Sequence, residues 1–353
     1  MNVLNNSLYS YDIKWIIESE LPWEKLENKT VLITGATGMI ASCFVDALMI
    51  LNENSGLNCK VIAMGRNAEK ARIRFGDYWN DECFEFLEHD INKPLEVKRE
   101  VNFILHMASN THPLAYATDP VGTITTNIMG LYNLLEFGRE NLKGRFAFAS
   151  SNEIYGENRG DVELFDEKYF GYIDCNTMRA GYPESKRCGE ALCQAYIKQY
   201  GMDIVIPRFT RTYGPTMLQS DTKAISQFIK KGINKEDIVL KSLGNQNYSY
   251  TYVADAVSGL FNVLLKGEKG EAYNIADESG NITLKDLAEI ISEWSGTKVV
   301  FEMPDDVEKS GYSTATKALL DGSKIKELGW KPRYDIRSGI RRNLDILSAQ
   351  VEK

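Results

Sequence analysis

The segment that decides the fold reads Val31-Leu32-Ile33-Thr34-Gly35-Ala36-Thr37-Gly38-Met39-Ile40-Ala41. A short apolar strand passes through two glycines into an amphipathic stretch that reaches about Leu51. Gly35 permits a tight turn, Gly38 lets the backbone approach a pyrophosphate, and Ala41 is small enough for the helix to pack on the strand. The free N–H groups and the dipole at the helix start favour an anion. This pattern predicts a dinucleotide-binding turn; the alternative is an ordinary glycine turn.

From Lys29 onward, short apolar segments alternate with longer helical segments. Such alternation predicts βαβ units and a buried parallel sheet. The sequence therefore predicts an α/β fold with a Rossmann-like, doubly wound parallel sheet. The further strands are expected at residues 61–64, 84–87, 102–106, 145–149 and 204–206, and the helices at 12–20, 127–140 and 183–200.

The pattern becomes less regular after Pro215, where helices are expected at residues 224–231, 253–265 and 284–295. We expect this half to form a smaller mixed α/β substrate domain over the carboxyl ends of the strands, where open α/β sheets bind ligands. The predicted division is an N-terminal extension over residues 1–28, a dinucleotide-binding domain over 29–215 and a mainly substrate-binding domain over 216–353. Some segments of the last are expected to return to the Rossmann core.

Composition excludes several classes of function. The net charge of −8 argues against binding nucleic acid. No apolar run approaches the length of a membrane span, and the N-terminus lacks the features of a secretory signal, so we expect a cytoplasmic protein that does not bind membranes. Six cysteines without a Cys-x-x-Cys pair and only three histidines predict reduced thiols and no metal site.

The end of the second strand bears on the choice of cofactor. An acid commonly stands there to hold the ribose 2′-hydroxyl, but this chain has Arg66, whose guanidinium suits a 2′-phosphate. The pattern favours NADP over NAD; the alternative is a surface arginine and NAD. Asp90, after the third strand, is expected either to accept a hydrogen bond from the adenine amine or to cap a helix.

Tyr182 and Lys186 stand four residues apart in Tyr182-Pro183-Glu184-Ser185-Lys186, so on a helix they share one face. A nearby ammonium favours a phenolate, which makes Tyr182 a candidate general base for a hydroxyl proton. Ser151 follows the fifth strand directly and can hydrogen-bond the same substrate oxygen. The alternative is a pair that merely lies on a surface helix.

As a set, these motifs resemble the extended short-chain dehydrogenase/reductases that act on nucleotide sugars, over residues 29 to about 346. The resemblance implies that Tyr182 is the base, Lys186 its partner and ribose clamp, and Ser151 the hydroxyl donor. It also implies a homodimer through the helices at 127–140 and 183–200. The segments that carry it are residues 34–41, 106–109, 127, 151–156, 182–186 and 208–215. The cofactor-binding residues that it implies are Gly35, Thr37, Gly38, Met39, Ile40, Arg66, Asp90, Ile91, Met107, Ala108, Ser109, Asn127, Tyr182 and Lys186.

Members of this family oxidise the sugar C4 hydroxyl and differ in the next step. The chain is most similar to UDP-glucuronate decarboxylases and GDP-mannose 4,6-dehydratases, in which a glutamate stands where Glu153 does. Glu153 is therefore the candidate for removing the C5 proton; the alternative is a glutamate that caps the following turn. Arg179 is expected to meet a carboxylate or a sugar hydroxyl; the alternative is a solvated arginine in a loop. The alternative functions are a 4-epimerase, an NADPH-dependent keto-sugar reductase and a cofactor-binding regulatory protein without catalysis.

The segments that are expected to bind the substrate depart from the pattern of the UDP-glucuronate decarboxylases. Tyr248 stands where those enzymes usually have an arginine that grips the nucleotide phosphates, and Arg211 stands where an asparagine is common. We therefore predict that Arg211 and Lys223 rebuild the phosphate grip; the alternative is that the substrate is not an ordinary UDP-sugar. The predicted substrate-binding residues are Asn152, Arg179, Arg211, Lys223 and Tyr248.

Overall fold

The computed structural model describes residues 3–111, 113–302 and 315–351 of the chain. Its strands are β1 (Thr30–Thr34), β2 (Lys60–Gly65), β3 (Phe84–Glu88), β4 (Val101–His106), β5 (Leu142–Phe148), β6 (Ser150–Ser151), β7 (Asp203–Phe209), β8 (Arg211–Tyr213), β9 (Ile238–Leu240), β10 (Asn247–Tyr252), β11 (Ala272–Ile275), β12 (Asn281–Thr283), β13 (Val299–Phe301) and β14 (Lys317–Ala318). Its α-helices are α1 (Ser7–Ile17), α2 (Met39–Ser55), α3 (Ala68–Arg74), α4 (Pro113–Thr118), α5 (Pro120–Asn141), α6 (Gly181–Tyr200), α7 (Ala224–Ile233), α8 (Val253–Lys266), α9 (Leu284–Ser295), α10 (Ser323–Glu327) and α11 (Ile336–Val351).

The main sheet is parallel and runs in the order β11-β7-β5-β4-β1-β2-β3, with β6 paired to β7. Alternate residues of β1 enter different cores: Val31 and Ile33 pack in one hydrophobic cluster, and Leu32 packs in a second. Because successive strand side chains point to opposite faces, the sheet is covered on both sides. The predicted Rossmann-like, doubly wound fold is confirmed.

The smaller domain contains mixed pairing. Strand β10 is antiparallel to β12 and parallel to β14 and β8, while β9 and β13 form a separate parallel pair. Strand β11 also comes from the C-terminal half, but it extends the main sheet beside β7. The predicted domain boundaries at residues 28 and 215 stay predictions.

Two predicted helix starts were wrong, because capping residues set them earlier. The helix predicted from residue 12 begins at Ser7, since the Asn6 side chain accepts hydrogen bonds from the backbone N–H groups of Leu8 and Tyr9. The helix predicted from residue 127 begins at Pro120. There Asp119 accepts the Gly122 N–H, and proline suits the first turn because it lacks an N–H group.

Helix α1 is part of the packed structure. Tyr9 is fully buried and donates its hydroxyl to Asp46 on α2. Asp12 accepts hydrogen bonds from the hydroxyls of Tyr252 and Tyr334 and from Arg342 Nε. These bonds join the N-terminal helix to β10 and to the C-terminal helix. In the described ranges, no helix is both long and apolar enough to cross a membrane.

Candidate functional site

A cavity of about 960 Å³ lies at the carboxyl ends of the main-sheet strands, between that sheet and the smaller domain. Its wall combines the loops after β1, β2, β3 and β4 with β6, β8, β10 and α7. The predicted site residues that line it are Gly35, Thr37, Gly38, Met39, Ile40, Arg66, Asp90, Ile91, Met107, Ala108, Ser109, Ser151, Asn152, Glu153, Arg179, Tyr182, Lys186, Arg211, Lys223 and Tyr248.

The glycine turn after β1 packs closely against the backbone of the loop after β4. Gly35 has φ +64°, and a Cβ there would lie 2.8 Å from the Ala108 Cα. Thr34 Oγ1 accepts the backbone N–H groups of Met107 and Ala108, each at 3.1 Å, which fixes the ends of β1 and β4 to each other. Gly38 caps α2, so the free N–H groups of that helix start face the cavity. These residues fit a dinucleotide.

Asn127 differs from the other predicted cofactor residues, because the described cavity wall does not include it. It is buried on α5, accepts the Ser109 hydroxyl at 2.7 Å and donates its Nδ2 to Ser185 Oγ at 2.8 Å. The structure thus places Asn127 as a bridge between the β4 loop and α6, behind the predicted cofactor-binding surface rather than on it.

The two polar residues after β2 and β3 reach the cavity from exposed or half-buried positions. Arg66 is exposed at the end of β2, and no carboxylate in the described part of the chain is bonded to it. Asp90 Oδ1 accepts the backbone N–H and the side-chain Nδ2 of Asn92, both at 3.1 Å. Asp90 therefore caps a turn, and the alternative of a helix cap was wrong.

Tyr182 and Lys186 lie on the first turns of α6, and both are buried. Lys186 Nζ donates to Ala149 O at 2.8 Å and lies 5.9 Å from the Tyr182 ring centroid. Burial lowers the pKa of Lys186 to about 8, against the influence of Cys193 and Glu190. Burial and the Glu153 carboxylate raise the pKa of Tyr182, while a hydrogen bond with Ser151 and the Arg179 charge oppose the rise. The expectation that the Lys186 ammonium favours the phenolate in the protein alone was therefore wrong, because burial outweighs the charges that act on this phenol. The ammonium, phenol and serine hydroxyl thus meet at one place.

Glu153 follows Ser151 by two residues on the short 3-10 helix Asn152–Tyr155. Ser151 Oγ accepts the Glu153 backbone N–H at 3.2 Å, so the serine caps this turn. The Glu153 carboxylate instead accepts Arg179 Nη2 at 2.6 Å, which orients it in the cavity wall. The alternative of Glu153 as the turn's cap was therefore wrong.

Tyr116 was not predicted, although it belongs to the same cluster. The Tyr116 ring stacks on the Tyr182 ring, and the two ring centroids are 4.9 Å apart. The Arg179 guanidinium carbon lies 4.7 Å from the Tyr116 ring centroid. Helix α4 carries Tyr116 over the start of α6. No spacing in the sequence indicates this contact, because the two residues lie on different elements far apart in the chain.

Arg211 lines the cavity beside Asn152, the residue that follows Ser151. With the Asn152 amide oriented to satisfy its neighbours, its oxygen accepts Arg211 Nη1 at 2.7 Å and its nitrogen donates to Phe209 O at 3.3 Å. The Arg211 guanidinium carbon lies 3.5 Å from the Tyr248 ring centroid, so it covers that ring. Lys223 forms an ion pair with Asp221 at 3.0 Å.

The cavity wall is positive although the chain is acidic. Among the described residues that line it, the acids are Asp90, Glu153 and Asp221, and the cations are Arg66, Arg179, Lys186, Arg211, Lys223, Lys231 and Lys241. Positive clefts of this kind concentrate anionic ligands. The described residues contain no group of three or more His, Cys, Asp and Glu side chains that could hold a metal ion.

Comparison with known proteins identifies the family of this chain. The profile of the NAD dependent epimerase/dehydratase family matches residues 31–276. UDP-glucuronic acid decarboxylase 6 from Arabidopsis thaliana is 33% identical over 318 residues, which cover 89% of this chain and 87% of that protein. UDP-glucuronic acid decarboxylase 1 from Xenopus tropicalis is 29% identical, covering 92% and 74%.

Solved structures of two further enzymes share the fold. One is dTDP-glucose 4,6-dehydratase from Streptomyces venezuelae, with a TM-score of 0.78, 24% identity, and coverage of 92% of this chain and 98% of that one. The other is UDP-glucuronic acid 4-epimerase from Bacillus cereus, with a TM-score of 0.76, 23% identity, and coverage of 91% and 99%. The family profile covers most of the chain and a relative exceeds 30% identity, so this chain belongs to the NAD dependent epimerase/dehydratase family, the extended short-chain dehydrogenase/reductases.

Proposed function

We propose that this chain oxidises the C4 hydroxyl of a nucleotide sugar and then acts at C5, by dehydration or decarboxylation. One observation supports this proposal above the others: the Glu153 carboxylate, held by Arg179 at 2.6 Å, stands in the same cavity wall as Ser151, Tyr182 and Lys186. A site that only oxidised and reduced C4 would not require a second base beside Tyr182. The relatives named as UDP-glucuronic acid decarboxylases also support action at C5.

Tyr182 takes the C4 hydroxyl proton in this proposal. The Lys186 ammonium, whose Nζ lies 5.9 Å from the Tyr182 ring centroid, is the proposed source of stabilisation for the phenolate against burial and the Glu153 charge. The Ser151 hydroxyl donates to the same substrate oxygen. A nicotinamide dinucleotide held at the Gly35–Gly38 turn and by Lys186 would supply the two-electron oxidant for the C4 hydroxyl. Tyr116 packs against the Tyr182 ring and keeps it oriented toward the substrate.

Glu153 acts in the second half of the reaction. A ketone at C4 acidifies the C5 proton, or labilises a carboxylate attached to C5. Glu153 lies two residues beyond Ser151 and is oriented by Arg179, so it is placed to take or return that proton. Asn152, on the same turn, is expected to contact the sugar.

A screen of nucleotide sugars by mass spectrometry tests the proposal. Loss of water indicates dehydration, and loss of carbon dioxide indicates decarboxylation. An unchanged mass with inverted C4 indicates a 4-epimerase, and steady consumption of NADPH indicates a keto-sugar reductase. Bound cofactor that no sugar reduces indicates a protein without catalysis. The last three outcomes contradict the proposal.

We also propose that the cofactor is NADP and that Arg66 binds its 2′-phosphate. Arg66 is exposed beside the glycine turn, where charge-assisted bonds to phosphate can form. Arg66→Ala is expected to weaken NADP binding and leave NAD binding nearly unchanged. Titration of both cofactors with both proteins measures this. A preference for NAD that Arg66→Ala does not alter contradicts the proposal.

The substrate pyrophosphate is the proposed ligand of Arg211 and Lys223. Because Arg211 covers Tyr248 and bonds no carboxylate in the described ranges, its guanidinium is available to an anion. Arg211→Ala is expected to raise the substrate KM roughly 10-fold or more, the effect of losing a charge-assisted bond. Arg341→Ala, an exposed arginine on α11, is the control. A lower melting temperature with an unchanged KM indicates a structural role instead.

The proposed role of Lys186 predicts a pH dependence. Its folded-state pKa of about 8 lies below the ordinary lysine value, so the side chain is an ammonium below that pH and loses its charge above it. Tyr182 then loses the cation that favours its phenolate, and the oxidation rate is expected to fall as pH rises through about 8. The measurement is kcat against pH at saturating cofactor. A rate that keeps rising well above this pH contradicts the role.

A homodimer in the cytoplasm remains the proposed state of the enzyme. Helix α5 exposes the apolar side chains of Val121, Ile124, Met129 and Tyr132, which a partner's helices would cover. The neighbouring helix α6 also exposes Tyr200. This distribution supports the interface through α5 and α6 that family resemblance implies.

A further inference from the structure

Glu190 stands on α6 one helical turn after Lys186, outside the described wall of the cavity. Its carboxylate accepts three hydrogen bonds. Oε1 accepts Ser150 Oγ at 2.5 Å and Arg208 Nε at 2.9 Å, and Oε2 accepts Arg208 Nη2 at 2.6 Å. Glu190 thus joins the helix that carries Tyr182 and Lys186 to Ser150, the residue before Ser151.

Arg208 also bonds the far end of the turn that runs from Ser150 to Tyr155. Ser150 and Arg208 are opposite each other in the pairing of β6 with β7. Arg208 Nη1 donates to the Tyr155 hydroxyl at 2.8 Å, and Tyr155 ends the 3-10 helix that carries Glu153. The Tyr155 hydroxyl in turn donates to Asn274 Oδ1 on β11 at 2.7 Å. The turn from Ser151 to Glu153 is therefore held at both ends.

We propose that Glu190 is a positioning residue for the reaction: with Arg208, it holds the turn that carries Ser151 and Glu153 against the helix that carries Tyr182 and Lys186. The inference rests on the proposed function, since it assumes the roles given to those four residues. The Arg208 and Glu190 side chains are only 10% and 14% exposed. Removing one partner leaves a poorly hydrated charge, so the surrounding segments shift.

The Glu190 carboxylate also places a negative charge near the Lys186 ammonium. The titratable groups around Lys186 are Glu190 and Cys193 on its own helix, Tyr182, and His106 at the end of β4. Burial raises the pKa of Cys193 and lowers that of His106 to about 3, so both are uncharged near neutral pH. Glu190 opposes the effect of burial on the pKa of Lys186 and so helps to keep the ammonium.

The first test is Glu190→Gln, which keeps the shape of the side chain and removes its charge. We expect kcat to fall roughly 10- to 100-fold, as small displacements of reacting groups do, with substrate KM and cofactor affinity nearly unchanged. The alkaline limb of the pH profile of kcat should move to lower pH. A normal kcat and an unmoved pH profile, even with a lower melting temperature, would overturn the proposal.

Ser150→Ala is the second variant, in case Glu190→Gln does not fold. It removes only the bond from Ser150 to Glu190 and leaves the ion pair with Arg208 in place. We expect kcat to fall several-fold with the alkaline limb unmoved, because the Glu190 charge remains. An unchanged kcat would overturn the positioning role.

Glu184→Gln is the matched control, because Glu184 lies on the same helix and forms an exposed ion pair with Arg187. Its kcat and pH profile should match those of the unchanged protein. Tyr182→Phe distinguishes failure of the positioning proposal from failure of the proposed function. If Tyr182→Phe is inactive while Glu190→Gln is normal, the positioning proposal alone fails. If Tyr182→Phe keeps its turnover, the proposed function fails.

Discussion

Tyr182→Phe is expected to lower turnover by roughly 10²- to 10⁴-fold, the usual cost of removing a positioned acid–base group. The hydroxyl is required to take the C4 proton, and phenylalanine cannot replace it. Cofactor affinity should be nearly unchanged, because the ring can still stack on Tyr116 at a centroid distance of 4.9 Å and Lys186 keeps its bond to Ala149. Steady-state kcat and cofactor titration measure the two quantities separately.

Tyr200→Phe provides the control for this experiment. Tyr200 ends the same helix, α6. The residue is 43% exposed and lies outside the cavity wall that the structure describes. The substitution removes the same hydroxyl at a distance from the chemistry, so kcat should not change. Turnover of Tyr182→Phe within a few-fold of the unchanged protein would remove Tyr182 from the reaction.

Glu153→Gln is expected to stop the reaction after C4 oxidation. Glutamine retains the shape of the side chain and can still accept the Arg179 hydrogen bond, but it is not a base. Oxidation depends on Tyr182, Lys186 and Ser151, and should survive. The variant should therefore accumulate reduced cofactor and a 4-keto sugar that reacts no further, which absorbance and mass spectrometry detect.

Deuterium incorporation tests the same prediction at the reacting atom. In heavy water the unchanged protein should place deuterium at C5, and Glu153→Gln should not. Glu163→Gln is the matched control, because Glu163 is an exposed glutamate outside the described cavity wall. Completion of the reaction by Glu153→Gln at the normal rate would make Glu153 structural. A 4-epimerase, in which the ketone turns and is reduced from its other face, would then be the better interpretation.

Much of the fold could be predicted because its signals are local. The apolar strand before Gly35 and the helix after Gly38 are adjacent in the chain, so their order alone predicts the turn. The positions of Tyr182 and Lys186 are equally local, since residues four apart on a helix share a face. Helix starts were less predictable, because Asn6 and Asp119 set them through side-chain bonds that hydrophobic periodicity does not record.

The contacts between different helices and strands were decided by the tertiary structure alone. The sequence determined the parallel sheet, the glycine turn and the candidate residues on each element. Only the packed structure shows that Tyr116 stacks on Tyr182 and that Asn127 lies behind the cavity wall. It alone also shows that Glu190 bonds both Ser150 and Arg208. The physical reason is that spacing along the chain fixes which face a side chain shares, whereas its partner on another element depends on how those elements pack.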